Sequence, residues 1–177
     1  MNAHRYRLLQ IVLHWLVVLL LIEQYITSAA ILRTHAYRPL GKRPDPFDLT
    51  LHSVHTRVGL FLFALVALRL ALRLLWGTPQ RDGFLPLWRA RLSSTVQYAL
   101  YVVLLAEAAA GGIASYLWWP MSVVHKALFW ALLALVGLHL GGAAMSFAAR
   151  PRETLHRITG IAKRPLRPRG GNLGEAQ

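Results

Sequence analysis

The chain has 177 residues, 55% of them hydrophobic and only 15% charged, with a formal net charge of +13 and no cysteine. This is the length of one domain and the composition of a membrane protein, not of a water-soluble globule. Disulfides, thiolate metal sites and thiol redox chemistry are excluded, and no nucleic-acid partner is expected, because no recognition module accompanies the basic residues.

Apolar runs at 9–32, 51–76, 92–118 and Met121–Ala149 are each about 20 residues or longer, the length needed to cross a hydrocarbon core of about 30 Å. The first follows a basic start, HRYR, but it is too long for a secretory signal and ITSAAILRTHA is a poor cleavage pattern, so it is read as a retained helix. It carries His14 near its start and Glu23 in its second half. Residues 33–50 then read as a loop. His52 and His55 open the second run and Arg69 and Arg73 close it; Arg81, Arg89 and Arg91 lie around the next connection. The third run holds Gln97 and Glu107 and ends at the uncharged turn LWWP, where Tyr116, Trp118 and Trp119 read as interfacial anchors. The fourth holds His125 and His139. His4, His35 and His156 fall in terminal or loop segments and are expected to be solvated.

Residues 1–150 thus form one transmembrane domain, an all-α, four-helix, up-and-down bundle, and 151–177 a basic tail, partly helical or disordered, lying against anionic headgroups. With alternating helix directions, most of the 20 basic residues fall on the side of the termini, so the positive-inside rule places both termini in the cytoplasm of a multi-pass inner-membrane protein. The opposite side has Arg33, Arg38, Lys42, Arg43, Arg57 and Lys126, partly offset by Asp45 and Asp48.

An ionisable residue inside a membrane is a functional hypothesis by default. His125 and His139 are fourteen residues apart, close to four turns and about 21 Å of rise, so both leave one helix face at two depths. Threading the other helices gives two level pairs: His14 with His139 toward the cytoplasm, and His55 or His52 with His125 toward the outside. Two stacked six-coordinate b-type haems require this arrangement, one imidazole on each side of each porphyrin. Copper and zinc also suit histidine, but a compact metal site does not span about 21 Å. Gly59, Gly111, Gly112, Gly137, Gly141 and Gly142 offer clearance for a flat ring or for plain helix contact. Arg7, Arg57, Arg69, Arg73 and Arg150 lie at levels suited to haem propionates or to snorkelling. Glu23 and Glu107 suit proton exchange with a quinone or a structural hydrogen bond to Gln24, Tyr25 or Gln97.

With RLLQIVLHWL, HTRVGLFLFALVALRLALRL and HKALFWALLALVGLH in place, the chain resembles the bacterial di-haem cytochrome b561 family, which includes superoxide oxidase, over roughly residues 5–150. The family pattern sets a histidine four residues before a glycine and an arginine ten after it; His55, Gly59 and Arg69 match, which favours His55 over His52. The resemblance implies haem ligands His14, His139, His55 and His125, and transmembrane electron transfer with ubiquinone as acceptor and superoxide as donor at the outer face. A relative carries a further histidine early in the third helix, where this chain has Gln97. Two other readings share parts of the pattern. One is a cytochrome b anchor passing electrons between quinone and a soluble oxidoreductase subunit; the other is a haem-free adaptor or small transporter, and a homodimer suits any of them.

Overall fold

The computed structural model describes residues 3–76, 87–149 and 151. They form α1 (Ala3–Tyr37), α2 (Pro46–Trp76), α3 (Leu87–Tyr116) and α4 (Met121–Ala149), with no strand among the described residues. Each helix contains a span long and apolar enough to cross a membrane. The protein is an all-α, four-helix membrane bundle. Residues 77–86 and the tail from 152 lie outside the described residues, and so do the expectations placed on them.

Helices consecutive in the chain are neighbours in space, α1 on α2, α2 on α3 and α3 on α4, as short connections in an up-and-down bundle require. One face of the bundle holds the start of α1 and the end of α4, and is called the terminal face below; the α1–α2 and α3–α4 turns define the hairpin face. The buried core is built from α1, α2 and α3, where Leu13, Val17, Leu62, Leu65, Val66 and Tyr101 pack together. From α4 only Leu132 is buried among the described residues. Its remaining apolar side chains, such as Trp130, Leu138 and Leu140, are exposed and suit lipid tails, since a helix in a bilayer needs no water-excluding partner for its outer face. No broad backbone contact joins α1 to α4. Side chains bridge that seam: His14 meets His139 with ring centroids 6.2 Å apart, and Tyr25 stacks on Phe129 at 6.4 Å.

The expected loop at 33–50 is mostly helix. Hydropathy marks the membrane core, whereas helix ends are set by local polar bonds that continue into the interface. In α1, Thr34 donates to the Ala30 carbonyl at 2.7 Å and the helix runs to Tyr37. A short 3₁₀ turn (Arg38–Leu40) and Gly41 at φ +63° then reverse the chain, a backbone region that glycine enters without a Cβ penalty. Asp45 caps α2, accepting from the Phe47 N–H at 2.7 Å, and Pro46 occupies the first helical position, where its missing N–H costs nothing. Arg33 clasps Asp48 through Nε and Nη2 at 2.6–3.0 Å, pinning the overhanging end of α1 to the start of α2. His52 and His55 therefore lie two to three turns inside α2 and do not open it. The third helix also differs from its expected 92–118 bounds. It starts at Leu87 and stops at Tyr116, where the N–H groups of Leu117 and Trp118 both turn back to the Ile113 carbonyl at 2.9 and 2.8 Å.

Candidate functional site

The terminal-face group starts from His14 on α1. Its Nδ1 lies 2.8 Å from Nη1 of Arg69 on α2, and because a guanidinium only donates, Nδ1 accepts. Across the seam stands His139 of α4, its ring plane at 70° to that of His14. The two ring centroids are 6.2 Å apart, so imidazoles of α1 and α4 meet at one level.

The hairpin-face group holds His55 and His125, with His125 within electrostatic range of His55. Thr27 of α1 donates its hydroxyl to the Glu23 carbonyl at 2.9 Å and lies 3.0 Å from His55 Nδ1. With its proton spent, Thr27 Oγ1 accepts from Nδ1–H, leaving the lone pair of His55 on Nε2. His125 reaches the same state more simply, since its Nδ1 lies 2.9 Å from the Glu107 carbonyl and a carbonyl only accepts. Ligating histidines are normally held in this way, with the second nitrogen donating to a fixed oxygen.

Two of the six glycines have defined work here. A Cβ at Gly111 would stand 3.0 Å from His125 Cε1, and one at Gly59 would stand 3.2 Å from Gln24 Oε1. The Gln24 amide in turn donates to the His55 carbonyl at 3.1 Å and to Glu23 Oε2 at 2.8 Å. At Gly112, Gly137, Gly141 and Gly142 a Cβ would meet nothing within 4 Å.

His52 points into a different neighbourhood. Its ring lies 5.3 Å from that of His35, which lies 4.0 Å from Trp119. This corrects the expectation of a solvated loop residue at position 35: His35 is on α1 and half-buried, because the helix outlasts the hydrophobic run. Trp119 covers this histidine in addition to facing the interface. His52 also lines a cleft of about 350 Å³ with Ser53, Thr56, Arg57, Ser115 and Tyr116. The side chains of Arg7 and Arg150, two of the expected propionate partners, lie outside the described residues.

Among the described residues, no three histidine, cysteine or acidic side chains gather as a compact metal-ion site would need. His139 of α4 meets His14 of α1, and His125, four turns away on α4, lies within electrostatic range of His55 of α2. A family model for prokaryotic cytochrome b561 matches residues 5–160. The chain belongs to that family. No curated protein and no solved structure matches it. As a prokaryotic cytochrome b561 it is a multi-pass bacterial membrane protein that transfers electrons through b-type haem. The residues present fit the group best at the hairpin face, where fixed oxygens hold one nitrogen of His55 and of His125, while at the terminal face side chains span a seam between α1 and α4. Haem supplies the one-electron chemistry, while the protein supplies its ligands, orientation and electrostatic setting.

Sequence reasoning missed the residues that orient the histidines. Gln24 and Thr27 had a signal, since EQYIT breaks the apolar run of α1 at the level of His55. For Glu107 there was none, because its backbone carbonyl, not its carboxyl, meets His125. Glu23 does accept from Gln24, one of its expected structural partners; Gln97 serves Arg73 instead, accepting from Nη1 at 2.9 Å.

Proposed function

We propose that the protein holds two b-type haems, one between His14 and His139 and one between His55 and His125, and carries electrons across the inner membrane from superoxide to ubiquinone. The observation that carries this reading is the pair of imidazoles on α4 at two depths, each with a histidine from a different helix at its level. His52 is not a ligand in this reading, since its ring is engaged with His35. Both termini face the cytoplasm, following the excess of basic residues on the terminal face. The hairpin face, with the His52 to Tyr116 cleft, then meets the outer compartment. Arg57 in that cleft and the exposed Lys126 attract a small anion, raising its local concentration and encounter rate. Arg33 does not contribute, because Asp48 neutralises it. In balanced form, two superoxide anions each lose one electron to become dioxygen, and one quinone gains two electrons and two protons to become quinol.

The test is the reduced-minus-oxidised spectrum of protein purified in mild detergent, with haem measured per chain. Low-spin b-type bands, about two haems per chain and reduction by superoxide with turnover of ubiquinone support the proposal. One haem per chain rejects the two-site arrangement. Haem reduction only in the presence of a copurifying soluble subunit favours the membrane-anchor reading.

A further inference from the structure

The cleft on the hairpin face has a volume of about 350 Å³, which is within the roughly 300–1,000 Å³ of small-molecule pockets and far more than a diatomic anion fills. Ser53, Ser115 and Tyr116 bring hydroxyl groups to its wall, and Arg57 brings a guanidinium. Thr56 also lines it but donates to the His52 carbonyl at 3.0 Å, so its oxygen is left to accept. No carboxylate pairs with Arg57 among the described residues, where the ion pair of this face joins Arg33 to Asp48. A guanidinium fork flanked by hydroxyl donors matches the oxygens of a phosphate group.

The depth of the cleft says which phosphates reach it. With 31 residues α2 is about 46 Å long, enough for the whole bilayer with its headgroups and not the hydrocarbon core alone. The cleft lies near the start of α2 and beside Ser115 and Tyr116, the last two residues of α3. Side chains of a helix lean toward its N-terminus, which directs Arg57 toward the hairpin face. The exposed Trp118 and Trp119 of the adjoining turn mark the same level as interface. One turn deeper the wall becomes apolar and open: Leu60 is 60% exposed, and a Cβ at Gly112 would meet nothing within 4 Å. Leu60 follows Arg57 by three residues and Gly112 precedes Ser115 by three, so both continue the helix faces that form the cleft. Oxygen-binding groups above an apolar trough outline a phospholipid and not a free ion.

We propose that the cleft binds the phosphate of an anionic phospholipid from the leaflet at the hairpin face, held by Arg57 and the hydroxyls of Ser53, Ser115 and Tyr116, with an acyl chain passing Leu60 and Gly112. A choline or ethanolamine head would set its ammonium group beside the Arg57 guanidinium, so an uncharged head such as glycerol is preferred. The site is independent of the haem and superoxide readings. A phosphate seated there competes with any small anion drawn to Arg57.

The test uses full-length protein as purified, stripped of lipid in mild detergent and titrated with phosphatidylglycerol, phosphatidylcholine or inorganic phosphate, with bound lipid counted by native mass spectrometry. Phosphatidylglycerol is expected to bind at least about tenfold tighter than phosphatidylcholine, the scale of one charge-assisted hydrogen bond. Arg57→Gln removes that preference and Arg57→Lys keeps part of it. Lys42→Gln, an equal loss of charge near the same face, leaves it intact. Gly112→Leu fills the trough and weakens phosphatidylglycerol. Equal binding of the two lipids to the unaltered protein overturns the inference, and that comparison decides the matter even where a variant does not accumulate. An Arg57→Gln protein that keeps the preference overturns it as well. Inorganic phosphate that displaces the lipid at equal concentration, with Gly112→Leu without effect, overturns the lipid assignment in favour of a free anion.

Discussion

Replacing Gly111 by alanine tests the hairpin-face site through a single methyl group. The new Cβ would stand 3.0 Å from His125 Cε1, 3.2 Å from Nδ1 and 3.6 Å from Nε2. Carbon contacts are favourable at about 3.5–4.0 Å, so the imidazole must retreat by about half an ångström. The helix backbones cannot easily absorb that shift, because α3 and α4 pack closely together. The ring moves instead, straining the 2.9 Å bond from Nδ1 to the Glu107 carbonyl. Overpacking of this kind costs about 1–3 kcal/mol, which is about 5- to 150-fold in haem affinity at 1.4 kcal/mol per decade. Alanine favours a helix over glycine by about 1 kcal/mol, so the fold itself is not expected to weaken. On the proposed two-haem arrangement, haem per chain, measured on detergent-purified protein after dilution, should fall from about two toward one, with the terminal-face haem retained. Gly112→Ala is the control, since a Cβ there meets nothing within 4 Å. Gly111→Ala protein with full haem content and an unchanged midpoint potential for the hairpin-face haem would refute the reasoning.

Thr27→Val keeps the shape of the side chain but removes the acceptor for His55 Nδ1–H; loss of such a partner costs about 10- to 100-fold in metal affinity, read as faster haem loss to an apoprotein acceptor. His52→Ala should retain both haems while His55→Ala loses one, because His52 packs on His35; the reverse result in the haem assay would exchange their roles. Arg57→Gln with Lys126→Gln should slow superoxide-driven haem reduction at low ionic strength and flatten its salt dependence, and stopped-flow rates equal to wild type at low salt would remove the steering argument. Arg33→Gln leaves the Asp48 carboxylate without its cation at the α1–α2 junction, so the thermal midpoint should drop while the haem spectrum stays the same.

Much of the protein could be read along the chain. Four spans follow from hydropathy, and the depth of each histidine follows from the alternating direction of the helices, because rise per residue is constant in an α-helix. His14 opposite His139 is therefore legible without coordinates, and the contact at 6.2 Å is where the threading put it. Between His52 and His55, spacing leaves both open, since three residues on a helix share nearly one face. That distinction needs neighbours: Thr27 bonds the ring of one, and His35 packs on the other.

The ends of α1 and α2 were hidden because hydropathy falls at the interface while the helix continues. Capping by Asp45 and the clasp between Arg33 and Asp48 are polar events that an apolar count does not register. The glycines divide for the same reason. As small residues in an apolar run all six look alike, yet only Gly59 and Gly111 lie under a side chain from another helix.

The sequence alone determined the membrane bundle, the number of its spans and the two levels of histidine, because these depend on length, polarity and helical period. The tertiary structure decided which ring nitrogens are bonded, which glycines give clearance and, among the described residues, that Arg33 is the arginine clasped by a carboxylate. Those properties belong to pairs of side chains far apart in the chain, and they exist only once the helices have packed.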